Sequence, residues 1–256
     1  MDQLLTKITN LSYEIWGIFV PGLIMLLFFL FTWWCAGAVA GIVTFGFVAP
    51  AEVKTVTGFI GLLNNEVKIG FIAGLAVAAY FAGHLLHWIS RSPKDKSKKF
   101  GSIERVISCL RLSIPKSAVP YDDFLEKQLS ESKEYLSMPA EATWPEFYPV
   151  AKAFLASRLQ SSLVTTYQNK YTLHRSLTAA AVVWFWLNII VLMIGACFCY
   201  FGIPAQPKWF PTIAAPFFAI ALIYGFSDSY QYNWKLFGNT LITEIYTYKR
   251  MFQSVH

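Results

Sequence analysis

Charge is what this sequence has least of. Only 14% of its 256 residues are Asp, Glu, Lys or Arg, where a typical soluble domain carries about 25%. The shortage is local. No charged residue stands between Glu14 and Glu52, and none lies inside the windows 69–89, 177–201 or 211–226. Proton pumps, ion-coupled transporters and voltage sensors depend on charges within their spans, so those classes are disfavoured, and no inverted repeat with broken helices is evident. The four cysteines, Cys35, Cys109, Cys197 and Cys199, show no Cys-x-x-Cys or Cys/His spacing, which argues against a structural zinc site or a disulfide framework. Glycine-rich phosphate loops, nucleophile elbows and His-Glu-x-x-His are missing too. The motifs therefore offer no catalytic residue, no metal site and no cofactor. With Asp2 and Lys7 ahead of an unbroken apolar run and no small-residue cleavage site, the N-terminus reads as a signal anchor.

What is present is apolar and bunched. Hydrophobic residues make up 55% and aromatics 17%. A helix crossing the ~30 Å hydrocarbon layer needs about 20 such residues, and the four uncharged windows supply four spans. The first window, residues 15–50, is too long for one crossing, at ~54 Å for a straight helix. We place its span at about 17–41, kinked near Pro21-Gly22, where the chain loses an amide donor. Leu4, Leu5, Ile8, Leu11, Ile15 and Trp16 recur at helical spacing ahead of it and suggest an interfacial amphipathic helix.

The distribution of Lys and Arg sets the expected topology. Segment 91–176 holds 14 of the 21 basic residues, and the positive-inside rule puts it, and with four spans both termini, in the cytoplasm. The expected fold class is all-α, a four-span multi-pass protein of the cell inner membrane. Its parts are 1–90 (interfacial helix and spans 1–2), 91–176 (cytoplasmic helical segment), 177–226 (spans 3–4) and 227–256 (cytoplasmic C-terminal helix). Within 91–176 the prolines confine helices to the stretches between them, near Ile103–Leu110 and after a cap at Asp122 or Asp123. No proline falls between Pro149 and Pro204, so Val150 to Phe201 is expected as one helix of ~78 Å. Trp234, Phe237, Leu241, Ile245 and Tyr248 repeat as a seam, expected to pair with that helix as an antiparallel stalk.

Four groups of residues are functional candidates. Gly70, Gly74, Ala78 and Ala82 form a small-residue stripe for close helix packing, with Gly37 and Gly41 as a matching pair on the first span or, for the stripe, a second subunit as partner. Tyr80, His84 and His87 follow i, i+4, i+7 spacing and are read as one polar face near the cytoplasmic boundary, either anchoring at the headgroups, facing a pore or sensing pH. Asn188, in mid-span, is expected to make an interhelical hydrogen bond or to line a polar path. Arg91, Lys94, Lys96, Lys98, Lys99 and Arg105 form a juxtamembrane patch suited to anionic lipid or another phosphate. Without a binding motif beside it, nucleic acid is disfavoured.

Tyr13–Ile24 (YEIWGIFVPGLI) and Tyr167–Leu177 (YQNKYTLHRSL) resemble uncharacterised small multi-pass membrane proteins of bacteria found in phage-defence gene sets. That resemblance implies a membrane effector that alters permeability when a cytoplasmic protein or nucleotide signal engages it. The leading expectation is thus a non-enzymatic, homo-oligomeric inner-membrane protein. The competing expectations are a membrane-bound enzyme working at the headgroups through Tyr80, His84 and His87, and a passive tether for a cytoplasmic complex.

Overall fold

The computed structural model describes residues 11–37, 65–90, 120–158, 163–203 and 207–253. Among these the chain is 90% helical and has no strand, the all-α class that the periodicity calls for. In chain order the helices are α1 (Leu11–Ala36, with a π-helical turn at Ile15–Phe19), α2 (Asn65–Ser90), α3 (Glu126–Tyr135, entered through a 3₁₀ turn at Asp123–Leu125), α4 (Trp144–Arg158), α5 (Leu163–Tyr200) and α6 (Trp209–Gln253). Helices α1, α2, α5 and α6 are long and apolar enough to cross a membrane. At 38 and 45 residues, α5 and α6 extend ~57 and ~68 Å and exceed the ~30 Å apolar layer. The described residues gather into two units, one drawn from 17–114 and 175–226, the other from 1–16, 115–174 and 227–256.

The first unit contains the apolar windows, and α1 meets α2 backbone to backbone. A Cβ on Gly22 would strike the carbonyl of Ala79, and one on Gly83 would strike the carbonyl of Ile18. Pro21, just ahead, has no N–H to give. A π turn shifts each backbone donor by one residue, and Ile15–Phe19 adopts one immediately before the proline. The carbonyl of Gly17, four residues before Pro21, also accepts the Ser176 hydroxyl at 3.4 Å. The disturbance expected at Pro21-Gly22 is thus a π turn followed by a close crossing. Helix α1 ends sooner than expected, at Ala36. Gly37, with φ +52°, is its C-cap and donates to the Trp33 carbonyl at 3.1 Å, so Gly37 terminates the helix. Residues 38–64, Gly41 and its expected pairing with Gly37 among them, lie outside the described residues. The backbone N–H of Lys208 donates to the Cys35 carbonyl (2.8 Å), and its ammonium lies 3.6 Å from the Trp34 ring centre, which fastens the start of α6 to the end of α1.

The second unit has a conventional core of aromatic and aliphatic side chains. Phe147, Leu155, Phe237, Leu241, Ile242 and Ile245 are fully enclosed, and Tyr171 of α5 reaches Trp234 and Phe237 of α6 at 4.9 and 5.2 Å between ring centres. The 234–248 seam is therefore buried, but α3 and α4 share it with α5. One expectation fails here. Prolines do not bound the helices: α4 includes Pro145 and Pro149, because the first-turn amides have no intrahelical acceptor and Pro145 there costs nothing, while Pro149 forfeits a single bond. Of the helix expected over 150–201 the structure describes two lengths, α4 up to Arg158 and α5 from Leu163, with residues 159–162 outside the described residues. Glu244 accepts the Leu163 N–H at 3.0 Å. Glu146 supplies the carboxylate half of a capping box at the head of α4, accepting from the Thr143 N–H at 2.7 Å and from its hydroxyl at 2.9 Å.

Asp122 stands ahead of the 3₁₀ turn in extended conformation, as expected of a cap, but its carboxylate serves a tertiary contact. It accepts from Asn239 Nδ2 (2.7 Å) and pairs with Lys235 (3.3 Å), while its own N–H donates to Asn239 Oδ1 (3.0 Å). Next to this clasp, Gly238 faces the Pro120 carbonyl so closely that a Cβ would collide with it.

These contacts give two predictions. Ala at Gly22, Gly83 or Gly238 should destabilise the detergent-solubilised protein by about 1–3 kcal/mol through overpacking, although Ala is the better helix former by ~1 kcal/mol. Ala at Gly74, where a Cβ meets nothing within 4 Å, should cause no loss, and thermal melts of the four variants read the contrast. The second concerns acid. Hydrogen bonds from Asn239 and Lys235 hold the Asp122 carboxyl below its ordinary value, and the Thr143 cap does the same for Glu146. A depressed folded-state value stabilises above the unfolded value and is lost as pH falls through the folded one. The unfolding temperature should therefore drop below about pH 4, with a shallower slope in Asp122→Asn.

Candidate functional site

The residues of interest lie where α2 and α5 approach the ends of their apolar stretches. Ala79, Gly83, Leu86, His87 and Ser90 form the buried face of α2, whereas Tyr80 and His84 are exposed, their rings edge-on at 4.5 Å. The single polar face expected for Tyr80, His84 and His87 is thus split in two. Spacing alone put them together, but α2 turns its small residues toward α1, and this places His87 inside and His84 outside.

His87 faces Arg175 of α5, with Nη2 3.2 Å from Nδ1. A guanidinium only donates, so Nδ1 is the acceptor in this contact. The Ser90 hydroxyl donates to the His87 carbonyl at 3.0 Å and ties down the last turn of α2. Among the described residues no carboxylate lies within salt-bridge distance of Arg175, and its buried Nε has no hydrogen-bond partner. Sequence reasoning missed Arg175, counting it only among 14 basic residues. Its position two residues ahead of the apolar run from Leu177 was the available signal.

Deeper in the unit the interior is polar but uncharged. No Asp, Glu, Lys or Arg is buried among the described residues, while Thr32, Ser176, Thr178, Asn188 and Thr212 are. Trp184 organises this region. Its ring stacks on Phe28 at 4.3 Å and meets Phe218 edge-on, and its Nε1–H donates to Thr32 Oγ1 at 3.0 Å. Thr32 in turn donates to the Phe28 carbonyl at 2.9 Å. Asn188, one turn beyond, is completely enclosed, but its amide Nδ2 donates to the Trp184 carbonyl at 2.8 Å in its own helix. The interhelical bond expected of it is not made, and its Oδ1 has no hydrogen-bond partner.

The small-residue stripe points elsewhere. Gly70, Gly74 and Ala78 are exposed, Ala82 is half-buried, and the helix crossing inside the chain uses Ala79 and Gly83, one residue round. Arg91, Lys94, Lys96, Lys98, Lys99 and Arg105 lie outside the described residues, as does the expected helix near 103–110. Among the described residues no group of three His, Cys, Asp or Glu is placed to hold a metal. No family model, curated protein or solved structure matches the chain.

The two polar features of the interior separate in a mutational test. Trp184→Ala should cost about 3–5 kcal/mol as a buried aromatic truncation, while Trp184→Phe keeps the stack and loses one interhelical hydrogen bond, about 0.6 kcal/mol in a membrane setting. Asn188→Leu removes a buried acceptor that no donor satisfies, and it should melt at or above the wild-type temperature.

Proposed function

We propose that the chain is a self-associating, non-enzymatic protein of the inner membrane whose helical unit, on the cytoplasmic side, receives a protein or nucleotide signal, and whose spans respond by changing membrane permeability. The observation that carries this reading is the open face of α2. Only 17% of its most apolar window is buried within the chain, against 33% for α1, and Gly70 and Gly74 on that face leave a backbone that another helix can approach closely. Spans without charge, lined internally by hydroxyls, an amide and an indole, suit a helix cluster that opens or closes more than a carrier that couples ions. The orientation follows from the 14 basic residues of segment 91–176, and a role in antiviral defence is the setting implied by the two stretches that resemble phage-defence membrane proteins.

Mass measurement of the purified protein across a range of detergent concentrations, together with ion flux from proteoliposomes, tests the proposal. Discrete oligomers that are lost in Gly74→Leu, and flux that is lost with them, are the expected result. A monomer at every concentration sinks it, and oligomers without flux under any condition reduce the protein to a tether.

A further inference from the structure

We propose that Lys208 and the outward face of α1 bind one anionic phospholipid, its phosphate at the lysine ammonium and an acyl chain along the helix. The first observation is the placing of the charge. The backbone N–H of Lys208 donates to the Cys35 carbonyl in the last turn of α1, and the ammonium lies 3.6 Å from the centre of the Trp34 ring. An ammonium has three donors and no acceptor, and a ring face covers one side of it. Lys208 is exposed, and among the described residues no carboxylate is within salt-bridge distance of it. The cation thus stands at the end of an uncharged run with one side on an indole and the other side available to an anion. Trp33, 47% exposed in the same turn, is placed as interfacial aromatics are, which puts the ammonium at headgroup level.

The second observation is the surface that continues from that charge toward mid-span. Leu23, Leu27, Leu30, Phe31 and Trp34 follow i, i+4, i+7, i+8, i+11 spacing, one face of a helix, and each is at least 38% exposed. The face lies opposite the buried Met25, Thr32 and Cys35. Phe31 meets Trp34 at 5.9 Å between ring centres, so the stripe runs unbroken up to the ring on which Lys208 rests. From Leu23 to Trp34 the rise is ~16 Å, the depth of one leaflet of a ~30 Å apolar layer. Size and charge select the occupant. Large side chains hold a neighbouring helix away, where glycines on α2 let one approach, and a flexible acyl chain fits between them. At the head, a zwitterionic lipid brings its own cation against the ammonium, whereas phosphatidylglycerol brings its phosphate alone. The inference rests on the membrane reading of the four helices but not on self-association.

Photolabelling of the full chain in detergent, with phosphatidylglycerol carrying a diazirine on its acyl chain and peptide mapping after irradiation, tests the assignment. Label should enter the peptide that holds Leu23 to Phe31. Unlabelled phosphatidylglycerol should compete for that peptide about fivefold better than phosphatidylcholine, the scale of one lysine facing an anionic lipid, and inorganic phosphate should not compete. Lys208→Gln should bring the two lipids level there, and Lys208→Arg should keep the preference, because a guanidinium also stacks on a ring and binds phosphate. Absence of label from this peptide, or a preference unchanged in Lys208→Gln, overturns the site. Competition by inorganic phosphate overturns the lipid assignment. Label that enters α1 only in monomers, and is lost from it in oligomers, gives the face to a second copy and overturns the proposal as well. Should Lys208→Gln fail to fold, the wild type decides, since equal competition by the two lipids is then enough to reject the site. Mass measurement of the same sample reads self-association separately, so either idea can fail alone.

Discussion

A polar group in the hydrocarbon layer has no water to turn to, and the span-bearing unit is arranged around that constraint. Pro21 removes a donor from α1; a π turn absorbs the defect and the Ser176 hydroxyl comes to the Gly17 carbonyl. The indole N–H of Trp184 is given Thr32, whose own proton goes to a carbonyl one turn back. The Ser90 hydroxyl is spent in the same way on the His87 carbonyl. Each solution uses an uncharged hydroxyl or indole, so the helices pack without adding charge. The close crossing of α1 and α2 follows from this economy, because backbones with glycine between them gain contact without needing polar side chains to hold them.

The second unit is built on the opposite terms. Its helices have a large apolar surface to hide, and they hide it in a cluster where Phe147, Phe237 and Leu241 are enclosed and Tyr171, Trp234 and Tyr148 pack around them. Polar groups here fix positions that the apolar core leaves free to slide. Asn239 binds both the carboxylate and the backbone of Asp122, Glu244 caps a helix from across the core, and Lys249 pairs with Glu131 at 3.6 Å. These contacts join residues more than 80 positions apart, so they set the register of α6 against the segment 120–158 and the head of α5.

This difference decides what could be read in the sequence. Spans are a matter of length and the absence of charge, and all four were legible. The seam from Trp234 to Tyr248 was legible because its period is that of a helix. Which face of α2 meets α1 was not: Gly70, Gly74, Ala78 and Ala82 make a cleaner repeat than Ala79 and Gly83, yet the crossing forms where Gly22 allows the backbones to meet, and that is set by geometry on the other helix. Helix breaks were misread for a related reason. Proline is a strong signal but is tolerated in a first turn, as at Pro145, and the acceptor of the Leu163 N–H at the head of α5 is Glu244, a residue 81 positions away. Arg175 was hidden by composition, since a basic residue in a basic segment attracts no notice until its lack of a carboxylate is seen.

Among the described residues two groups do not obey the constraint that governs the rest of the span-bearing unit, and they differ in depth. Asn188 Oδ1 is an unmet acceptor at mid-span, and Arg175 Nε an unmet donor at the boundary. Their energetic meaning is not the same. An amide oxygen is neutral, its penalty is that of one missing hydrogen bond, about 1–3 kcal/mol, and a fold can carry it. A guanidinium brings a full charge whose compensation must come from somewhere, and at headgroup depth the bilayer itself holds phosphate at high local concentration. In a membrane the surroundings are part of the hydrogen-bonding inventory at the interface and are absent from it in the interior. The same count of unsatisfied atoms therefore carries a different energetic weight at the two levels.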